Sequence, residues 1–133
     1  MVACFGAWRG LKNSGVRIKA RNMERAVFVY TTWPSFVEAE QAGRALVDRR
    51  LAACVNILPN MVSVYRWEGT IERGEEAVMI VKTRASLAGA VEQAVKAMHS
   101  YTTPAILTMP LESVESSYLG WILAETESTT TPT

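Results

Sequence analysis

The chain is poor in the residues that most active-site chemistry needs. His99 is its only histidine, Asp48 its only aspartate, and Cys4 and Cys54 its only cysteines. A zinc or copper site wants three or four His, Cys or carboxylate ligands. A nucleophilic triad needs a base oriented by a third group. One copy of the chain therefore holds no complete catalytic or metal-binding constellation. Two cysteines, one in an irregular head and one in an apolar strand, make no disulfide framework, and a reducing, cytoplasmic setting is the expectation. No glycine follows the first strand, where Thr32-Trp33-Pro34-Ser35 stands, so a phosphate-cradling loop is excluded there. No apolar run approaches eighteen residues, so no membrane partner is expected. Nor does the body carry a basic stripe, so no nucleic-acid partner is expected.

What is present is an ordinary globular composition, 49% apolar and 20% charged over 133 residues, enough to bury a core. Four Trp and four Tyr are many for this length, and such side chains favour interfaces. Charge is unevenly spread. Residues 1–25 carry six basic side chains (Arg9, Lys12, Arg17, Lys19, Arg21, Arg25) against Glu24 alone, and the remainder carries eight basic against twelve acidic. Residues 1–25 lack the apolar core of a secretory signal and read as a basic extension, disordered or upstream of the true start at Met23, with a basic, acid-poor targeting segment as the alternative. Residues 26–127 read as one domain, and 128–133 as a polar tail.

From Ala26 the pattern sharpens. Ala26–Thr32 is β-branched and aromatic, a strand buried on both faces. Ser35 with Glu38 forms a capping box for a helix running to about Arg50. Leu51–Leu58 reads as a second strand, broken at Pro59-Asn60 and resumed over Met61–Glu68. Gly69 turns the chain, and Ile71–Thr83 returns as a long strand. Ser86 is expected to cap a second helix with Leu87, Val91, Ala94 and Met98 on its inner face. His99–Thr103 connects to a short strand between Pro104 and Pro110, bracketed by prolines as edge strands are. Ser116–Glu127 is a third helix.

The order β-α-β-β-α-β plus a terminal helix predicts an α+β, ferredoxin-like sandwich with two helices on one sheet face. The other face is left bare, and the hairpin over 61–83 is longer than one small domain needs. Both features need cover, and further copies of the chain supply it most economically.

Six segments, in order and at compatible spacing, carry a resemblance. They are Thr32-Trp33-Pro34 after the first strand, Leu51-Ala-Ala-Cys-Val-Asn56, Tyr65-Arg-Trp-Glu-Gly69, Met79-Ile-Val-Lys-Thr83, His99-Ser-Tyr-Thr-Thr-Pro104 and Tyr118-Leu-Gly-Trp121. Over about Ala26–Glu127 the chain resembles the CutA divalent-cation-tolerance proteins. The resemblance implies a ferredoxin-like fold assembled as a homotrimer of PII-like architecture, and a link to tolerance of copper and other divalent cations without an established enzymatic activity. Members with a proposed copper site carry Cys at the position of Thr31, paired His at Met98-His99, and Pro-Glu at Pro104-Ala105. Here His99 remains as a nitrogen donor, and Met98 offers a thioether that suits Cu(I).

The expected metal residues are therefore His99 and Met98. The plain alternative for His99 is a hydrogen bond at a helix end. Cys54, mid-strand among apolar neighbours, reads as inert core. Trp67, Lys82 and Tyr101, with His99, are the expected lining of a cleft between copies that takes a metal ion or a small anionic ligand. Interface packing is the plain alternative for the aromatics. No cofactor is expected to be required, with copper or another divalent cation the one that fits the resemblance.

Overall fold

The computed structural model describes residues 24–128 of the chain. The head read over 1–25 lies outside the described residues but for Glu24 and Arg25, and the tail but for Ser128. The elements are β1 (Ala26–Trp33), α1 (Phe36–Asp48), β2 (Cys54–Trp67), β3 (Thr70–Arg84), α2 (Ala88–Met98), β4 (Ile106–Pro110) and α3 (Ser116–Glu125). The sheet order is β2-β3-β1-β4, with every neighbouring pair antiparallel. This is the ferredoxin-like arrangement, with β4 at an edge as its prolines suggested. Among the described residues, no helix is long and apolar enough to cross a membrane.

Strand alternation sorts the two faces. Val27, Val29, Trp33, Met79 and Val81 point toward α1 and α2 and pack with Ala39, Ala42, Leu46, Val91, Ala94 and Val95. α1 lies very close to the sheet at Gly43, where an added Cβ would stand 2.6 Å from Val55 Cγ2. On the opposite face, Ala26, Ala53 and Cys54 pack under Trp121 and Ile122 of α3. That face is thus not wholly bare, because the third helix folds back across one end of it. Leu58, Leu107 and Met109 remain exposed beyond α3's reach.

Local chemistry moves three expected boundaries. The second strand begins at Cys54 rather than Leu51. Arg50 takes a left-handed conformation (φ 58°), and the Arg50 and Leu51 amides bond back to the Val47 and Leu46 carbonyls. That is a Schellman ending, which spends residues 50–51 on closing α1. Pro59-Asn60 does not break β2. The register shifts between Leu58 and Met61, with Asn60 left-handed, so the proline is absorbed in a bulge. Ser86 does not cap α2. The helix starts at Ala88 after a tight turn over Ala85–Leu87, and the Ser86 amide donates to Glu24 Oε1 at 2.7 Å.

Before Ala77, β3 has no partner in β1 and pairs only with β2. The stretch from Met61 to Glu76 is therefore a two-stranded arm. It closes on Glu68 and Gly69, both at positive φ, the backbone that a two-residue hairpin turn requires.

Candidate functional site

The site builds up where β1 ends. Alternation along β1 sends Thr31 and Trp33 into the interior. Thr31 Oγ1 donates to the Met79 carbonyl at 3.3 Å and accepts the Trp33 indole N–H at 2.6 Å. The Trp33 ring lies against the His99 imidazole, with centroids 4.2 Å apart. His99 is the residue at which α2 ends, and its backbone is extended there. Its ring turns back to the sheet and is buried. Nε2 stands 2.7 Å from the Thr32 carbonyl oxygen, and Nδ1 accepts the Tyr101 amide at 3.1 Å. A carbonyl can only accept and an amide N–H can only donate, so these bonds assign the ring proton to Nε2.

Tyr101 extends the cluster, its ring tilted by 45° to the imidazole with centroids 4.8 Å apart. Its hydroxyl donates to Glu76 Oε2 at 3.4 Å, while Ser63 donates to Glu76 Oε1 at 2.8 Å. Burial pushes the Tyr101 phenol above its ordinary value, and the Glu76 charge and hydrogen bond push it the same way, with Glu38 adding to them. The rim is completed by Ser100, which donates to Glu38 Oε2 at 3.4 Å.

The described residues bring Trp33, His99, Tyr101 and Glu76 together and keep the other expected site residues apart. Met98 packs against the core. Lys82 lies opposite both Phe28 and Cys54, under α3, where its Nζ donates to the Tyr118 hydroxyl at 3.2 Å. Lys82 is six residues along β3 from Glu76, about 20 Å at strand rise. Trp67 pairs with Thr70 at the tip of the arm, twelve residues from Lys82 along β3, or about 40 Å. Within one chain, Trp67, Lys82 and Tyr101 therefore line no common cleft.

As folded, both His99 ring nitrogens are engaged, and a metal at Nδ1 would have to displace the Tyr101 amide. Among the described residues, no three His, Cys, Asp or Glu side chains are grouped to hold a metal ion. The one basic lone pair of the imidazole, on Nδ1, is thus taken up by the Tyr101 amide. Sequence reading did not find Glu76 and Glu38, because only register and tertiary packing bring them to Tyr101. The Trp33–Thr31 pair was within reach, since i and i+2 on a strand share a face.

A family model described as CutA1 divalent ion tolerance protein matches residues 27–125. The chain belongs to the CutA1 divalent ion tolerance family. Among curated relatives it is 50% identical to the divalent-cation tolerance protein CutA of Archaeoglobus fulgidus, over 71% of this chain and 92% of that one. It is 38% identical to protein CutA of Mus musculus, over 74% of this chain and 56% of the mouse protein, so it spans little more than half of that relative. A solved structure titled as the periplasmic divalent cation tolerance protein CutA of Archaeoglobus fulgidus superposes with a TM-score of 0.74 at 47% identity, covering 77% of this chain and 99% of that one. The two Archaeoglobus fulgidus matches are named for tolerance of divalent cations, and none of the three is named for a reaction.

Proposed function

We propose that the chain serves tolerance of divalent cations, copper among them, as a non-enzymatic homotrimer of PII-like architecture whose cation or small-ligand site lies at the seams between copies. The observation that carries this reading is the arm from Met61 to Glu76. Val64 (70% exposed), Trp67 (63%) and Ile71 (66%) stand on it in the open. Burying an aliphatic or aromatic side chain of this size is worth about 1.5–3 kcal/mol, so an arm without a second surface forgoes a large stabilisation. A neighbouring copy supplies that surface, and the exposed Leu107 and Met109 of the edge strand β4 offer a complementary one. Such packing is also the way for Trp67 of one copy to meet Lys82 or Tyr101 of another.

Light scattering at micromolar concentration tests the assembly, and a stable monomer would sink it. For copper, His99 and Met98 are the residues to test, with Nδ1 exchanging the Tyr101 amide for the metal. Copper titrated into the native chain and into His99→Ala separates the cases, since equal weak binding by both excludes His99.

A second reading is a sensor for a small anionic ligand with no metal role. It is favoured by the engagement of both His99 nitrogens and by the Lys82 ammonium on the sheet face. Thermal shift decides it, because anionic metabolites but not metals should then raise the melting temperature. We place the protein in the cytoplasm, on the scarcity of cysteine, although one solved relative is titled periplasmic. Fractionation of cells carrying the native chain decides that.

A further inference from the structure

α3 is the helix least able to stand alone. It spans ten residues, shorter than isolated helices that hold in water, and Gly120 in its interior weakens it further. Its seat on the sheet is Trp121 and Ile122 over Ala26, Ala53 and Cys54, with Tyr118 and Leu119 beside them. Trp121 is buried, yet its indole N–H has no acceptor among the described residues. A donor that has given up water without a partner weighs against docking by a factor of about ten. Undocking would return it to water.

Two cations on β3 oppose this. Lys82 donates to the Tyr118 hydroxyl at 3.2 Å and sits 5.4 Å from the centre of that ring. Arg84 donates through Nε to Thr126 Oγ1 at 2.9 Å and through a second nitrogen to the Leu123 carbonyl, so it holds the last turn of α3. The third guanidinium nitrogen meets Glu24 Oε2 at 3.1 Å, which anchors the same arginine to the residues entering β1. Under the helix lie Lys82 itself and Cys54.

We infer that α3 is a hinged cover, latched by Arg84 and Lys82 and turning on the exposed Glu112-Ser113 segment, whose opening uncovers the Lys82 ammonium and the Cys54 thiol. Access to that end of the sheet is then set by an equilibrium. The inference does not rest on the assembly reading, and its substitutions are compared at one and the same oligomeric state, since cover by a second copy would also slow exchange in α3.

Amide hydrogen exchange on the full chain under native conditions tests it. The amides of Leu119–Leu123 should exchange at least about tenfold faster than those of β1 and α1. Arg84→Gln and Lys82→Met should each speed exchange in α3 by about a further tenfold and leave α1 unchanged. In a Cys4→Ser chain, alkylation of Cys54 should accelerate in step with Arg84→Gln. Protection of α3 equal to that of β1 would overturn the inference, as would exchange in α3 that ignores both substitutions. Alkylation of Cys54 that does not follow α3 would overturn the covering role.

Discussion

His99→Ala separates a structural histidine from a metal ligand. The substitution removes the bond to the Thr32 carbonyl, the acceptor for the Tyr101 amide, and a ring stacked 4.2 Å from Trp33. An aromatic stack of this kind is worth about 0.5–1.5 kcal/mol. Each buried polar group left unmet costs about 1–3 kcal/mol. The Tyr101 amide is only partly buried and recovers some of its loss from water, so we set the total near 3 kcal/mol. The assay is guanidinium unfolding at fixed protein concentration with a chelator present, since association and metal both shift apparent stability. His99→Asn, whose side-chain oxygen can take the Tyr101 amide, should recover part of the loss. A metal-free stability change below about 1 kcal/mol, accompanied by lost copper affinity, would refute the structural account and favour His99 as a ligand.

Other positions offer independent checks. Gly43→Ala places a methyl 2.6 Å from Val55 Cγ2 and 3.2 Å from Met79 Sδ; overpacking should outweigh the gain in helix propensity and cost about 1–2 kcal/mol in thermal or chemical unfolding. Burial raises the Glu24 pKa, but the Ser86 hydrogen bonds and Arg84 together outweigh it and hold the carboxyl below its ordinary 4.5. A depressed carboxylate stabilises the fold above its unfolded pKa, so this contribution should fade as pH falls below about 4.5, and Glu24→Gln should flatten that part of the stability profile. Tyr101 is held above its ordinary 10.0 by burial and by Glu76. Its contribution is therefore intact at neutral pH and lost as pH rises past about 10; Glu76→Gln should move the tyrosinate absorbance transition downward, and an unmoved transition would contradict the contact.

The fold was legible because its signals are local and agree with one another. Alternation in β1, the Ser35 cap, confirmed by the Glu38 amide on Ser35 Oγ at 3.2 Å, and Gly69 at the hairpin each state their own structure. The misplaced boundaries are those where a distant partner decides. Ser86 resembles a cap, but Glu24, far away in sequence, takes its amide. Leu51 resembles strand, but Arg50 in a left-handed conformation spends it on closing α1. The bare sheet face was half legible. Nothing in Ser116–Glu125 says which face it will cover; its seat comes from distant partners, Ala26, Ala53 and Cys54 under Trp121 and Ile122 and Arg84 at Leu123 and Thr126. The candidate site was least legible. His99 and Tyr101 could be named from the chain, but the partners that define their chemistry, Thr32, Trp33 and Glu76, arrive through strand register. Trp67 and Lys82 stay remote from them within one chain.

Sedimentation velocity of the native chain at micromolar concentration, beside a Val64→Ser, Trp67→Ser, Ile71→Ser variant, tests the central claim most directly. The account predicts a native species of three chains and a variant shifted toward one chain with its four-stranded fold intact by circular dichroism. A native chain that sediments as a stable monomer, or a variant that assembles as the native chain does, would contradict it.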